Sequence, residues 1–382
     1  MKILIYIDNL ERLAFYERIM HTLQDEKEFV VLTNRLSVAI RLFRKVKCYL
    51  LTNRAYSHAK PITNLKETLS VACGYHTLER AQNIHNSLIK KMQEILIQER
   101  LERIFIFNGT TTIGKSLGDF CKKKGIKTTF IEISNLPNRL FIDPEGTNAR
   151  SYLYRHPEIL DAKSVSDEEF EAWRAEYLAK KTLPPQAKNK TTIRYLMVLD
   201  YIGFCFGLVR EDYRSVWRVI GNKLKNKRAQ TFSHANLDEE YIFFPLQVSN
   251  DSQIILNSDI DNIEAIELIK REYSHARIYI KPHPAEENAE FIKEVQKLCD
   301  ERTFIVGNPT QELVSHAKLV VTINSTVGLE AMITGKEVRI LGRAIYGAFN
   351  RERLKSYICR YLVRIDYFGG EVAKKEAMRL YE

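Results

Sequence analysis

The residues best suited to chemistry form the run Ile280-Lys281-Pro282-His283-Pro284. Two prolines fix the backbone on either side of His283, so its imidazole is aimed rather than mobile. An aimed imidazole beside a lysine suits a phosphate leaving group: Lys281 supplies charge and His283 a hydrogen bond or a proton. A second run, Asn324-Ser325-Thr326-Val327-Gly328-Leu329-Glu330-Ala331, has Ser325 or Thr326 where a helix cap belongs. The first-turn amides of such a helix, with the two hydroxyls, make an anion site. Glu330, one turn further, is placed to accept from a ribose hydroxyl.

Three further runs carry polar groups. Phe243-Phe244-Pro245-Leu246-Gln247-Val248 is followed by Asp251-Ser252-Gln253; Gln247 is a candidate for a base or sugar, and Ser252 for a phosphate. Phe130-Ile131-Glu132-Ile133-Ser134-Asn135 leads into Ile142-Asp143-Pro144-Glu145-Gly146-Thr147-Asn148. Displacement at an anomeric carbon needs a carboxylate, as base for inversion or nucleophile for retention. Glu132 is the first candidate and Asp143 the second, although Asp-Pro is also an ordinary turn starter. Phe107-Asn108-Gly109-Thr110-Thr111-Thr112-Ile113-Gly114 reads as an acceptor anion site or as a plain helix start. It is neither GxGxxG nor a P-loop. The acids of Asp259-Ile260-Asp261 sit where carboxylates complement a helix dipole, so no metal is assigned to them. No cofactor is expected.

These groups need elements to hold them. Short apolar runs predict strands over Lys2–Ile7, Phe29–Leu32, Val46–Leu51, Ile104–Phe107 and Lys127–Glu132, with a long amphipathic helix over His76–Arg100. A second series predicts strands over Tyr241–Phe244, Arg277–Ile280, Thr303–Val306, Leu319–Thr322 and Glu337–Leu341. Its helices are Ile260–Tyr273, Glu286–Cys299, Gln311–Ser315 and Thr326–Thr334. Strands alternating with helices imply parallel sheets, and ligands of such sheets sit beyond the carboxyl ends of the strands. The expected organisation is a first Rossmann-like, acceptor-binding domain over 1–190 and a bridging segment over 191–235. A nucleotide-sugar domain follows over 236–350, and a C-terminal helical segment over 351–382 packs back on the first. The Lys- and Pro-rich stretch Lys180–Thr192 reads as a linker, and Ile193–Leu224 as a bridging helix.

A chain of 382 residues with 45% hydrophobic and 28% charged residues is globular and large enough for two domains. Its net charge of +10 favours anionic partners. Lys and Arg are spread along the sequence rather than clustered with aromatics, which argues against nucleic acid. The six cysteines form no CxxC pair, consistent with reduced thiols in the cytosol. The N-terminus turns polar after seven residues and reads as a first strand, not a signal peptide. The apolar stretch Tyr195–Val209 is shorter than the roughly 20 residues that span a bilayer. With the basic residues Lys223, Lys225, Lys227 and Arg228 after it, it suits a peripheral membrane contact.

The runs FFPLQVSNDSQI, IKPHPAE, TINSTVGLEAMITGKEV with the trailing LGRAIYG, and FIEISNLPNRLFIDPEGTNARS together resemble the KpsS/KpsC-type capsule polysaccharide transferases. They reach from Phe130 to Gly347, with FNG at Phe107–Gly109 before them, and the single-module length is nearer the KpsS type. The resemblance implies a GT-B fold of two Rossmann-like domains facing across a cleft. It implies retaining transfer of β-linked Kdo, an acidic eight-carbon sugar, from CMP-Kdo to a lysophosphatidylglycerol or Kdo-primed lipid. The place implied is the inner face of the cytoplasmic membrane, among capsule assembly and export proteins. On this resemblance His283 and Pro284, with Ser325 and Thr326, belong to the CMP phosphate of the donor. The reading of the residues themselves adds Gln247, Ser252, Lys281, Asn324 and Glu330 to the donor site, and gives Asn108, Gly109, Asn135 and Asn148 to the acceptor. KpsC-type modules carry an acidic pair followed by Gly after the strand that here ends Glu132-Ile133-Ser134, which keeps Asp143 open beside Glu132. The competing readings are a transferase using CDP-glycerol or a UDP-sugar, and a non-catalytic capsule export or assembly protein.

Overall fold

A computed structural model of the chain describes residues 1–53, 62–179, 190–211 and 232–381. The expected linker lies mostly outside these residues. So do the basic residues Lys223, Lys225, Lys227 and Arg228, and the part of the expected bridging helix beyond 211. The chain divides into two compact units, one of Met1–Tyr213 with Lys355–Glu382, the other of Arg214–Leu354.

The first unit is built on six strands: β1 (Lys2–Ile7), β2 (Glu28–Thr33), β3 (Lys47–Leu50), β4 (Leu101–Phe107), β5 (Lys127–Ile133) and β6 (Leu140–Asp143). Their order is β3-β2-β1-β4-β5-β6, all parallel except β6, which runs antiparallel to β5. The direction of winding reverses between β1 and β4, the place where Rossmann-type sheets open a crevice. Alternate side chains feed two cores. Ile3, Ile5 and Ile7 pack on one side with Phe15, Tyr16 and Ile19, and Leu4 and Tyr6 on the other with Leu88, Met92 and Ile95. Burial on both faces explains why these strands read as continuous apolar runs rather than alternating ones. The long helix spans Leu78–Gln98 and is capped by the Thr77 hydroxyl.

The C-terminal segment closes the first of these cores with Val363, Ile365, Tyr367, Val372, Ala377 and Leu380. Arg18 donates to the carbonyls of Asp366 and Gly370, both at 3.0 Å. The segment opens on a π-helical turn, Tyr357–Tyr361. Such turns place side chains where a regular helix cannot.

The second unit has five parallel strands: β7 (Tyr241–Pro245), β8 (Arg277–Lys281), β9 (Thr303–Ile305), β10 (Leu319–Thr322) and β11 (Glu337–Ile340). Their order is β11-β10-β7-β8-β9, so the winding reverses between β7 and β10. The helices are Ser252–Asn257, Asn262–Glu272, Ala289–Lys297, Thr310–His316 and Thr326–Ile333. Both units are thus Rossmann-type, the α/β class that the sequence predicts. Among the described residues, no helix is long and apolar enough to cross a membrane.

Candidate functional site

In the second unit, three loops follow β7, β8 and β10 at the carboxyl ends of their strands. Gln247, 4% exposed, ties the first loop to the third. Its amide nitrogen donates to Asn324 Oδ1 at 2.9 Å, and its carbonyl accepts from the Asn324 backbone at 3.1 Å. Asn324 Nδ2 in turn donates to the carbonyls of Gln253 and Asn257 at 2.9 and 3.2 Å. Both side-chain amides are therefore spent within the protein. The expectation that Gln247 and Asn324 contact the donor gives way to a positioning role: they lock the crevice between β7 and β10. Glu286 ties the first loop to the second, accepting from the Ser249 amide at 2.6 Å and its hydroxyl at 3.2 Å.

His283 stands exposed on the loop after β8. The Ala285 amide donates to its Nδ1 at 3.1 Å, and its own carbonyl accepts from the Glu286 amide at 2.9 Å. An accepting Nδ1 fixes the tautomer, so the proton sits on Nε2, the nitrogen offered to a ligand. Pro284 sets the turn that makes this contact. Lys281 behaves otherwise than expected. Its ammonium turns to the loop after β9 and donates to the Asn308 carbonyl, and burial lowers its pKa. It therefore supports that loop.

Ser325 caps the helix Thr326–Ile333, its hydroxyl oxygen accepting from the Val327 amide at 3.3 Å. Thr326, exposed, is the first helical residue, and Glu330 is half-buried on the next turn. Tyr346, from the trailing LGRAIYG run, donates to the Ser325 carbonyl. A Cβ at Gly328 would stand 2.6 Å from that hydroxyl and 2.8 Å from Thr322 Cγ2. The glycine of the STVGLEA run is thus required by close packing, and the two runs form one unit. Ser252 opens the short helix that Asp251 caps. Asp261 caps the helix Asn262–Glu272 in a reciprocal pair with Glu264.

In the first unit, Asn108 and Gly109 adopt left-handed backbone angles after β4, φ +62 and +78. Asparagine and glycine tolerate this region. A Cβ on Gly109 would meet the Phe130 ring at 2.5 Å. The turn aims Asn108 Nδ2 at Glu132 Oε1, 2.8 Å away at the end of β5. Glu132 Oε2 is buried and has no hydrogen-bond partner among the described residues. Burial raises the Glu132 pKa, against the pull of the Thr147 hydroxyl, the Asn108 amide and Arg12. Arg12 pairs with Asp8 at the end of β1 and lies 4.3 Å from the centre of the Phe107 ring. Sequence reasoning missed Asp8 and Arg12. The available signal was an arginine in the first turn of a helix, where the dipole disfavours it.

Asp143 is the opposite kind of carboxylate. It is 2% exposed and accepts from the amides of Glu145 and Tyr152 (both 2.8 Å), Leu153 (3.0 Å) and Gly146 (3.1 Å), and from the Tyr361 hydroxyl (3.1 Å). Five donors saturate a carboxylate. The expectation of Asp143 as an alternative nucleophile is corrected: the group is a structural hub. Asn135 stands exposed on the loop between β5 and β6, and Asn148 opens a tight turn at φ +53. Asn108 and Gly109 line a cavity of about 700 Å³ in this unit, and neither Asn135 nor Asn148 is among its lining residues.

The helix start after β4, read as a possible anion site, is already occupied by a carboxyl group of the chain itself. Buried Glu211 accepts from the Ile113 amide at 3.0 Å. Burial, with Asp8 adding repulsion, raises its pKa to about 7. Folding thus favours the protonated form. This group's contribution to stability is full below about pH 4.5, falls as pH rises towards 7, and is absent above that. Glu211→Gln is expected to flatten the pH dependence of stability between pH 5 and 8. By linkage the wild type is expected to lose about 3 kcal/mol relative to the variant between pH 4 and pH 8. Urea unfolding across that range checks this; parallel curves for the two proteins would refute it.

Residues 102–349, more than half of the chain, match the family described as capsule polysaccharide biosynthesis protein. Protein FixF of Sinorhizobium fredii is 27% identical over 276 residues, which are 68% of this chain and 56% of FixF. The capsule polysaccharide export protein KpsS of Escherichia coli is 32% identical over 147 residues, 35% of this chain and 38% of KpsS. The chain therefore spans about half, or less, of the length of these curated relatives. Among solved structures, the β-Kdo 2,7-transferase of Thermosulfurimonas dismutans KpsC is similar at a TM-score of 0.48 and 17% identity, covering 100% of each chain. By the extent of the family match, the chain belongs to the capsule polysaccharide biosynthesis proteins.

Proposed function

We propose that the chain is a retaining glycosyltransferase of capsule synthesis, moving Kdo from CMP-Kdo to a lipid acceptor such as lysophosphatidylglycerol. The observation that carries this reading is the imidazole of His283. Its tautomer is set by the Ala285 amide, so that Nε2–H is presented at the carboxyl end of β8. A departing CMP phosphate is an acceptor that such a donor stabilises as its charge develops. The Thr326 amide and the hydroxyls of Ser325 and Thr326 offer a second contact of the same kind, the Ser325 amide being held by Thr322 Oγ1. Pro284, Ser252 and Glu330 are assigned to the donor with them, and Gln247 and Asn324 hold the loops in place. Retention takes two displacements: a carboxylate displaces CMP, and the acceptor hydroxyl then displaces the carboxylate. Glu132 is assigned that carboxylate because Asn108 holds its Oε1 at 2.8 Å, while Oε2, with only the Thr147 hydroxyl near it, has no partner at ordinary hydrogen-bond geometry among the described residues.

Work at the inner face of the cytoplasmic membrane fits the exposed apolar side chains Val198, Tyr201 and Ile202 on the helix Lys190–Cys205 with Phe206 in the turn after it, and Ile40 on the helix Leu36–Arg41 with Phe43 in the turn after it; the two helices pack so closely that a Cβ on Gly203 would stand 3.0 Å from Leu36 Cβ. The experiment is incubation of the purified chain with CMP-Kdo and lysophosphatidylglycerol in vesicles, read by mass spectrometry, with CDP-glycerol and UDP-hexoses as competing donors. His283→Ala is expected to lower turnover about 100-fold, the range for one lost transition-state donor. Transfer from a UDP-hexose but not CMP-Kdo would replace the donor assignment. The name of the KpsS relative favours a second reading, a non-catalytic export protein. That reading requires His283→Ala and Glu132→Gln to leave capsule assembly intact.

A further inference from the structure

The loop between β8 and the helix Ala289–Lys297 holds a carboxylate that the proposed mechanism does not use. The sequence predicts Glu286 as the first residue of that helix. Instead Asn288 caps it, and Glu286 is left in the loop, half-buried. Its Oε2 accepts from the Ser249 amide at 2.6 Å. Its Oε1 accepts from the Ser249 hydroxyl at 3.2 Å and from the Asn288 amide at 2.7 Å. Its backbone amide donates to the His283 carbonyl at 2.9 Å, which closes the turn His283-Pro284-Ala285-Glu286. Inside that turn the Ala285 amide donates to His283 Nδ1 at 3.1 Å. Glu286 therefore closes the turn that sets the imidazole and anchors it to the loop after β7.

The sheet cannot supply that anchor. Pairing of β7 with β8 ends where the Leu246 amide donates to the Lys281 carbonyl at 2.9 Å. Pro282 and Pro284 have no N–H with which to continue it. Two prolines stiffen the loop, but they do not place it against its neighbour. On the other side of Ser249, Gln247 is bonded to Asn324, next to the Ser325 cap. A connected path thus runs from that cap through Gln247, Ser249 and Glu286 to His283, hydrogen-bonded wherever it passes from one loop to another. A carboxylate suits the task because it accepts on both oxygens, and bonds to it are stronger than those between neutral groups. We propose that Glu286 is the positioning residue of His283: it sets where Nε2–H stands relative to the helix start at Ser325 and Thr326, so that one departing phosphate meets both. This deepens the function proposed above and rests on it. Glutamine at 286 would turn an NH2 group towards one set of the three donors, so one side of the anchor must open. Misplacing a reacting group by about 1 Å costs up to about 100-fold in rate.

The test is a double-mutant cycle on turnover with CMP-Kdo, joined to nitrogen NMR of the full chain labelled in its histidine rings. Glu286→Gln is expected to lower kcat per folded molecule about 10-fold with the donor KM nearly unchanged. In the His283→Ala background the same substitution should have no further effect, because the group it positions is gone. Ser249→Ala, which removes the hydroxyl contact and keeps the amide, should lower kcat less and obey the same cycle. The NMR is read at about pH 8, where a free imidazole is neutral. The His283 signal, identified by its loss in His283→Ala, should show the Nε2–H tautomer in the wild type and a mixture of both tautomers in Glu286→Gln. An equal loss of kcat in both backgrounds is the mark of a carboxylate that only supports the fold, and overturns the proposal. So does a wild-type His283 signal in Glu286→Gln. If the wild type transfers no Kdo, the function fails, and the tautomer measurement, which needs no donor, decides the positioning role.

Discussion

Under the proposed function, Glu132→Gln is expected to lower transfer by about 1,000-fold or more, the scale seen when a group that reacts covalently is removed, while leaving the fold intact. The substitution is nearly isosteric. Its carbonyl oxygen can keep the hydrogen bond from Asn108 Nδ2, and an uncharged amide in a buried position relieves the cost that raises the Glu132 pKa. The same burial makes a second, independent expectation. A nucleophilic carboxylate must be ionised, so activity should fall on the acid side with an apparent pKa above the ordinary carboxylate value. That acid limb should be missing from the residual activity of the variant. Single-turnover rates across pH 5–8, with circular dichroism to confirm folding, measure both. Near wild-type turnover in folded Glu132→Gln would remove the carboxylate from the mechanism.

The contrast with Asp143 shows what sequence could and could not reveal. Asp-Pro as a turn starter was half of the answer: the amides of Glu145 and Gly146 do fold back onto Asp143 Oδ1, and that contact spans two and three residues. The other donors arrive from nine, ten and 218 residues away, beyond the reach of any local pattern. Likewise the Gln247–Asn324 lock joins residues 77 apart, and Glu211 reaches the helix start across 98. Asp143, Gln247 and Asn324 looked like free polar groups in sequence because their partners are non-local.

Strands were legible where burial on both faces made them apolar throughout, as with Leu319–Thr322, seen with the same limits in the structure. Strand β6 was not, since four residues at an antiparallel edge, ending in an aspartate, carry no such signal. The capping role of Asp261 was legible because a cap is a local contact. Gly109 sat in a strand-to-helix turn of the sequence and Gly328 within a helical run, but the reasons for them, the Phe130 ring and the Tyr346 hydroxyl, could be seen only once the strands were assembled.

Asp143→Ala should instead destabilise the first unit by about 3–5 kcal/mol, the cost of leaving buried donors without their charged acceptor. Four backbone amides and the Tyr361 hydroxyl lose their partner together. The amides cannot be re-aimed, because they are fixed by the chain. For a unit of this size the shift in Tm is on the order of 10 °C. Asp143→Asn keeps one acceptor oxygen but turns an NH2 group towards the remaining donors, so its loss should be smaller than that of the alanine variant yet still several degrees. Tyr361→Phe removes one donor of the five, at the edge of the cluster, and should cost less than either. Kdo transfer per folded molecule should persist in the asparagine variant. Scanning calorimetry and turnover on the same preparations separate the two carboxylates: loss of activity at wild-type stability for Glu132→Gln, loss of stability with retained activity for Asp143→Asn. An Asp143→Asn protein with an unshifted Tm and no turnover would reverse the assignment and return Asp143 to the reaction.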